Sequence, residues 1–326
     1  MYRIVTLLSS FVLVVTLVVV MLTWGDYSIP ISELFGGKIS SDSAEWNILI
    51  HLRLPRALMA LACGALLSMS GSIMQSVFNN PLVEPYTMGL SGGAVVGVGV
   101  AWILGFVGAG ASLFAFIGAL ISMLIVLFLR QIIGGKIETM LLVGVVVSFV
   151  MSSANMLIFS LASHEFTPIV LYWSLGSLDA VDENFAFILF YIALFIVVLS
   201  PFLGKILDVL SAGEVTANHV GIDANRFAIF LFVFTALLTA LSVASVGVVA
   251  FVGMIVPHIV KRIVGYAHCW IVPLSGILGG AFLLGCDMMA CRIIYPAELP
   301  VGVFSGIFGG LFFLFVLLKN RNNVVD

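Results

Sequence analysis

Charge is the scarcest property of this sequence. Only 9% of its 326 residues are Asp, Glu, Lys or Arg, whereas 62% are hydrophobic. Water-soluble domains typically carry about 25% charged residues, so a soluble enzyme is excluded. The composition predicts an all-α, polytopic membrane protein. Because one membrane-spanning helix takes about 20 apolar residues, residues 1–326 have room for about ten spans in a single transmembrane domain and for no soluble domain of ordinary size.

The sequence also lacks the motifs of a disulfide framework, a metal site or a phosphate loop. Its four cysteines form no CxxC pair, and its five histidines show no HxxH or HxxxH spacing. The Gly-Lys dipeptides at 37/38, 135/136 and 204/205 are each followed by Ile, whereas a phosphate loop requires Ser or Thr at that place. We therefore expect no metal and no cofactor. Any ATP hydrolysis that powers this chain takes place on another chain.

Long apolar segments predict ten membrane-spanning helices. The predicted spans are 4–24, 54–78, two within 86–129 separated by the glycine-rich stretch 105–110, 139–163, 185–204, one full and one short or broken span within 227–260, 271–290 and 300–318. The two longest polar segments between spans are 25–53 and 205–226.

The few basic residues predict the orientation of the chain. With the N-terminus in the cytoplasm, nine of the 13 lysines and arginines fall on the cytoplasmic side, and Lys38, Arg53, Arg56 and Arg292 fall outside. The positive-inside rule favours this threading over its inverse. It makes 25–53 an external loop, places 205–226 in the cytoplasm and puts both termini there.

Two other classes of membrane protein remain open at this point. An ion-coupled secondary transporter usually carries an acidic residue near mid-membrane, whereas Glu84, Glu138, Asp287 and Glu298 all lie near predicted span ends. An intramembrane serine protease is suggested by GLSG at 89–92, with Ser91 as nucleophile and His258 as base. Such a short string of small residues is expected by chance in a chain with 32 glycines.

Residues 53–99 carry the first part of a family pattern. The segment begins with RLPR and continues through a Gly-Ala-rich span to Gln75, the tripeptide NPL at 80–82, Pro85 and Gly89. Later segments read WSLGSL at 173–178, GEVTANHVG at 213–221, FVGMIVPHIVKRIVG at 251–265 and, after Asp287 and Arg292, ELPVG at 298–302. Together these segments resemble the permease family of type II ABC importers. Its motif residues here include Asn80, Pro81, Pro257, His258, Glu298 and Pro300.

The resemblance implies a transport subunit and its partners. Such a permease has about ten helices, lies in the bacterial inner membrane and forms a homodimer or, occasionally, a heterodimer. Two ATPase subunits bind on the cytoplasmic side, a substrate-binding protein docks outside, and no nucleic acid is involved. An iron(III)-siderophore is the expected substrate, with haem or cobalamin as alternatives.

The resemblance also assigns roles to three groups of residues. Arg53, Arg56 and Arg292 are expected to face outward and pair with carboxylates of the binding protein, because the planar guanidinium binds carboxylates bidentately. The other interpretation is that these arginines extend from span ends to the membrane surface, which requires no partner.

The remaining two groups concern coupling and passage. The ATPases are expected to contact the cytoplasmic coupling segment 205–226, marked by Gly213, Glu214, Ala217 and Gly221, although an ordinary amphipathic connector has the same pattern. Ser148, Ser152, Asn155 and Phe159 recur at helical spacing on one face of the fifth span. This stripe either lines the passage or joins helices by hydrogen bonds.

Overall fold

Helices make up most of the part of the chain that the structure describes. The computed structural model describes residues 2–24, 43–161, 166–179, 181–294 and 297–320. Most of the predicted external loop 25–53, up to residue 42, lies outside these ranges, and so does the end of the chain beyond residue 320.

Within these described ranges, ten helices of 13–25 residues correspond in order to the ten predicted spans. They are α1 (Tyr2–Thr23), α3 (Leu54–Val77), α4 (Leu90–Ile103), α5 (Ala109–Ile133), α6 (Ile137–Leu161), α8 (Glu183–Leu199), α11 (Ala224–Val246), α12 (Val252–Val264), α13 (His268–Ala290) and α14 (Val301–Asn320). The shorter helices are α2 (Ala44–Asn47), α7 (Phe166–Ser174), α9 (Gly204–Ser211) and α10 (Glu214–His219). The prediction of an all-α membrane protein is confirmed.

By length and composition, seven helical stretches of the described residues could cross a membrane. Helices α4 and α14 are apolar but shorter than these seven. Helix α12, with 13 residues, is also too short to be counted among the seven.

Helix α3 lies at the centre of the bundle and is almost wholly buried. Small residues allow its backbone to approach its neighbours closely. A Cβ atom at Gly64 would overlap the backbone of Gly279 in α13, and one at Gly71 would overlap Gly253 in α12. Such small-residue contacts are the usual means of helix association in membranes, where the lipid is as apolar as the side chains.

Helix α4 begins inside the bundle, because the chain turns back after α3. At the turn, the Asn80 side chain accepts a hydrogen bond from the Leu82 N–H at 3.0 Å, an Asx turn that redirects the backbone. The chain then reaches Gly89, whose φ of +85° favours glycine. The Ser122 hydroxyl, halfway along α5, donates to the Gly89 carbonyl oxygen at 2.8 Å.

Helix α12 also begins inside the bundle. Its first residues follow Phe251, which has a φ of +70°. A Cβ atom at Gly309, near the middle of α14, would overlap the Phe251 ring. The two half-length helices α4 and α12 therefore both begin at the middle of long neighbouring helices.

The prediction that every acidic residue lies near a span end is wrong for Glu84. This residue is 4% exposed, and its carboxylate accepts a hydrogen bond from the Phe251 N–H, at the interior start of α12. The other carboxylate oxygen has no partner in the described structure. The physical reason is the turn at Asn80, which carries the following residues back into the bundle.

Candidate functional site

The predicted external end of the bundle is held together by an ion-pair cluster centred on Arg56. The Arg56 Nε and Nη2 atoms each donate to one Asp287 oxygen at 2.9 Å, a bidentate pair. Nη1 donates to Glu298 at 2.8 Å and Nη2 to Asp179 at 3.3 Å. The cluster thus joins the start of α3, the end of α13 and the two loops that precede α8 and α14.

Burial differs among the members of this Arg56 cluster. Asp287 is 1% exposed, whereas the side chains of Asp179 and Glu298 are 38% and 41% exposed. Desolvation raises the pKa of Glu298 above its ordinary value, and the Arg56 guanidinium opposes that shift. The Tyr172 hydroxyl adds a hydrogen bond to the Glu298 carbonyl oxygen at 3.0 Å. Because one cation faces three carboxylates, the cluster has a formal charge of −2 when all are ionised.

Arg53 and Arg292 both contact the C-terminal end of α1, apart from the Arg56 cluster. Arg53 Nη1 donates to the Leu22 carbonyl oxygen at 2.7 Å. Arg292 donates to the Trp24 carbonyl oxygen and stacks over the Trp24 ring, with its guanidinium carbon 3.8 Å from the centroid. Cations at a helix C-terminus bind its unpaired carbonyl groups and complement its dipole. The three predicted docking arginines therefore all have partners within the chain, and they form two groups rather than one.

The predicted coupling segment forms α9 and α10 at the opposite end. Gly213 precedes α10 with a φ of +102°, and Gly221 follows it with a φ of +87°. Ala217 is fully buried and belongs to the main core. Its side chain therefore faces the permease itself and is not a contact surface for a partner.

Two exposed apolar residues lie on the outward side of this segment, one in α10 and one directly after it. Val215 is 71% exposed and Val220 is 64% exposed. Glu214 is exposed next to them. A cavity of about 210 Å³ lies beside the segment, lined in part by Glu138, Gly213 and Glu214.

The polar stripe of α6 divides between two roles. The Ser148 hydroxyl lies 3.1 Å from the Thr87 carbonyl oxygen and 2.9 Å from that of Gly144. Asn155 donates to the Gly92 carbonyl oxygen of α4 at 3.3 Å. Phe159 packs against the core. Of these four residues only Ser152 is exposed. Most of the stripe therefore joins α6 to α4 and to residues 79–89, the re-entrant segment that turns back into the bundle.

The motif around Pro257 and His258 lies within α12. The His258 ring packs edge-on against Phe312 and Phe313 of α14, and its Nε2 atom is buried without a partner in the described structure. No hydrogen bond of the described residues joins His258 to Ser91. Pro300 is buried immediately before α14.

A Ser-His-Asp arrangement that sequence reasoning missed lies near α9. His268 Nδ1 is 2.6 Å from Asp208 Oδ1, and its Nε2 is 2.6 Å from the Ser76 hydroxyl. The same hydroxyl donates to the Ser72 carbonyl oxygen of its own helix at 2.8 Å, as expected of a serine that packs within a helix. The arrangement links α3, α9 and α13. Its members are 60 and 192 residues apart in the chain, so no sequence signal reveals it.

Comparison with known proteins agrees with this architecture. The model of the FecCD transport family matches residues 12–319. The hemin transport system permease of Yersinia pestis is 30% identical over 294 residues, covering 86% of this chain and 86% of the relative. The vitamin B12 import permease of Vibrio vulnificus is 30% identical and covers 90% and 89%. The Fe(3+)-citrate import permease of Bacillus subtilis is 32% identical and covers 86% and 84%.

A solved structure of a metal-chelate type ABC transporter in an inward-facing conformation has the same fold. It superposes with a TM-score of 0.86 at 26% identity, covering 96% of this chain and 98% of that one. In transporters of this kind, ATP hydrolysis takes place on a separate subunit, as the absence of a phosphate loop predicted. The chain belongs to the FecCD transport family and is a membrane-embedded permease subunit of an ABC transporter.

Proposed function

We propose that the chain imports an iron(III)-siderophore across a bacterial inner membrane, as a homodimer with two ATPase subunits and an external binding protein. The observation that carries the proposal is family membership over residues 12–319. The iron assignment is supported by the Fe(3+)-citrate permease among the relatives. The hemin and vitamin B12 permeases keep haem and cobalamin as alternative substrates of the same machine.

Uptake by a deletion strain tests the substrate. Cells that lack only this gene should lose uptake of ⁵⁵Fe-labelled siderophore and regain it from a plasmid copy. Haem and radiolabelled cobalamin serve as parallel substrates in the same strain. Loss of cobalamin or haem uptake with normal siderophore uptake would overturn the iron assignment and leave the transport role intact.

The proposed orientation places the Arg56 cluster outside and α9 and α10 in the cytoplasm. It is supported by the nine-to-four distribution of basic residues. Single cysteines introduced at Val215 and at Asp179, in a chain without its four native cysteines, can be labelled in intact cells by an impermeant maleimide. We expect labelling at position 179 only; labelling at position 215 only would invert the threading.

The proposed docking surface centres on Arg53 and Arg292, while Arg56 holds the loops around it in place. Arg53 and Arg292 both donate to backbone carbonyl oxygens at the end of α1, whereas Arg56 lies among three carboxylates of this chain. Opposite charges across such a surface speed association and fix its orientation. Arg292→Glu should therefore weaken binding-protein stimulation of ATP hydrolysis, with Lys136→Glu, at the other end and outside the coupling segment, as the control. Equal stimulation in both variants would refute the docking role.

The proposed ATPase contact uses the outward face of the segment from Gly213 to Gly221. Exposed valines beside Glu214 offer an apolar surface that a groove on another protein can cover. Val215→Glu should lower co-purification of the ATPase at least several-fold without changing the thermal stability of the permease. Ala217→Trp, by contrast, should lower both, because the buried alanine has no room for an indole. The role is refuted if Val215→Glu retains full ATPase binding and uptake.

The proposed pathway includes the exposed Ser152, with Ser148, Asn155 and Phe159 as the packed part of the same helix face. Ser152→Trp should slow substrate uptake while binding-protein docking is unchanged. Ser153→Trp, at the next exposed position of the helix, is the matched control. Similar uptake by both variants would place the pathway elsewhere.

A further inference from the structure

A second cavity lies at the same end of the bundle as α9, between the end of α3 and the start of α13. Its volume is about 470 Å³. Its lining contains Asn79, Lys261, Arg262 and Tyr266, and none of the lining residues is Asp or Glu. The cavity is therefore polar and positively charged.

The two cations of this cavity have no acidic partners in the described part of the chain. Lys261 Nζ is 3.1 Å from Gln75 Oε1, an uncharged amide oxygen. None of the ion pairs found includes Lys261 or Arg262. Asp208 lies nearby but is bonded to the His268 ring at 2.6 Å and to the His268 N–H at 2.9 Å. Two positive charges are thus left uncompensated at a concave surface.

His258 adds a further polar group to the lining of the cavity. Its Nε2 atom is buried and has no hydrogen-bond partner in the described structure. An anionic oxygen in the cavity would compensate the charges of Lys261 and Arg262 together.

The outer face of α12 next to this cavity is apolar. Ile259 and Ile263 are 36% and 46% exposed at helical spacing, and Tyr266 beyond them is 82% exposed. An apolar stripe that ends in a tyrosine and an arginine is typical of a helix at the boundary between hydrocarbon and head groups. Acyl chains can lie along the stripe while a head group enters the cavity.

We propose that this cavity binds the phosphate group of an anionic phospholipid, with Lys261 and Arg262 as its charge partners. Basic pockets between membrane helices bind acidic head groups in this way. A free phosphate ion offers the same oxygens to the same donors but makes no use of the isoleucine stripe.

Native mass spectrometry of the full-length chain in detergent tests the proposal. Phosphatidylglycerol and phosphatidylcholine with identical acyl chains are titrated separately. We expect tight binding of phosphatidylglycerol and weak binding of phosphatidylcholine. In a Lys261→Gln, Arg262→Gln double variant, the phosphatidylglycerol affinity should fall about 25-fold, because each basic residue contributes about fivefold.

Arg226→Gln is the matched control, since this exposed arginine is already paired with Asp223 at 2.9 Å. It should change the phosphatidylglycerol affinity less than about twofold, because an exposed ion pair away from the cavity contributes little. Inorganic phosphate is added as a competitor. If it displaces bound lipid while the chain binds phosphatidylglycerol and phosphatidylcholine equally, the cavity is a phosphate site whose ligand is the free ion.

Two results would overturn the proposal. One is equal affinity of the wild-type chain for the two lipids together with no competition by inorganic phosphate, a comparison that needs no variant to fold. The other is unchanged phosphatidylglycerol binding in the folded double variant. The measurement requires neither ATPase nor transported substrate, so its failure would leave the proposed import function standing.

Discussion

At the scale of single residues, Arg56 shows how far a motif can be interpreted without a structure. The RLPR motif identifies the arginine and suggests an external position, but its partners lie 123, 231 and 242 residues away in the chain. No pattern in the sequence brings Asp179, Asp287 and Glu298 together. The same limit hid the Asp208–His268–Ser76 arrangement and the burial of Ala217, because which face of a short helix is covered depends on distant packing.

Removal of the Arg56 side chain should destabilise the protein strongly. Arg56→Ala leaves Asp287, which is 1% exposed, as a buried carboxylate without its cation, at a cost of about 3 kcal/mol or more. Asp179→Asn removes only the longest ion pair of the cluster, to a partly exposed carboxylate, and should cost less than about 1 kcal/mol. Thermal unfolding of the purified chain in detergent compares the two. Similar melting temperatures for both variants would mean that Arg56 is not the organising residue of the cluster.

Glu84 provides a second test at this scale, because it joins the re-entrant segment to the start of α12. Glu84→Gln retains an oxygen that accepts the hydrogen bond from the Phe251 N–H, whereas Glu84→Ala leaves that N–H unpaired, at a cost of about 1–3 kcal/mol. Hydrogen exchange measured on a peptide spanning residues 249–256 should accelerate in the alanine variant and not in the glutamine variant. Equal acceleration in both would show that the negative charge, and not the hydrogen bond, holds the segment.

At the scale of helices, the sequence predicted much and missed one feature. The spans were predictable because each long helix leaves an apolar run of about 20 residues, and the break within 227–260 was visible from Gly247, Gly253 and Pro257. The re-entry of residues 79–89 was not visible, because a polar turn after a span looks the same whether the chain leaves the membrane or turns back. Because this turn was missed, Glu84 was predicted to lie at a span end. Its buried position weakens the argument against an ion-coupled transporter, which relied on acidic residues lying at span ends.

The contact between α3 and α13 makes a prediction for this scale. Gly64→Ala would place a methyl group against the Gly279 backbone and should cost about 1–3 kcal/mol through overpacking. Gly285→Ala, in α13 with open space around its Cβ position, is the matched control and should be neutral or slightly stabilising. Unfolding in mixed micelles measures both. Equal stability of the two variants would show that α3 and α13 can move apart to accommodate the methyl group with little loss of free energy of unfolding.

At the scale of the whole molecule, the two ends of the bundle differ in chemistry. The predicted external end has an acidic cluster beside a pair of helix-capping arginines, whereas the other end has a short helix with exposed valines and a cavity without acidic residues. A subunit that receives a loaded binding protein at one end and an ATPase at the other needs two such distinct surfaces. Family membership settles the class of transporter, and the helix bundle connects the two surfaces.

The most direct test of this account is transport by the purified parts. The chain is reconstituted in liposomes with its ATPase subunit and its binding protein, and uptake of ⁵⁵Fe-labelled siderophore is followed. We predict uptake that requires ATP, the ATPase subunit and the binding protein, and that does not respond to a proton or sodium gradient. Uptake driven by such a gradient in liposomes that contain only this chain would contradict the account.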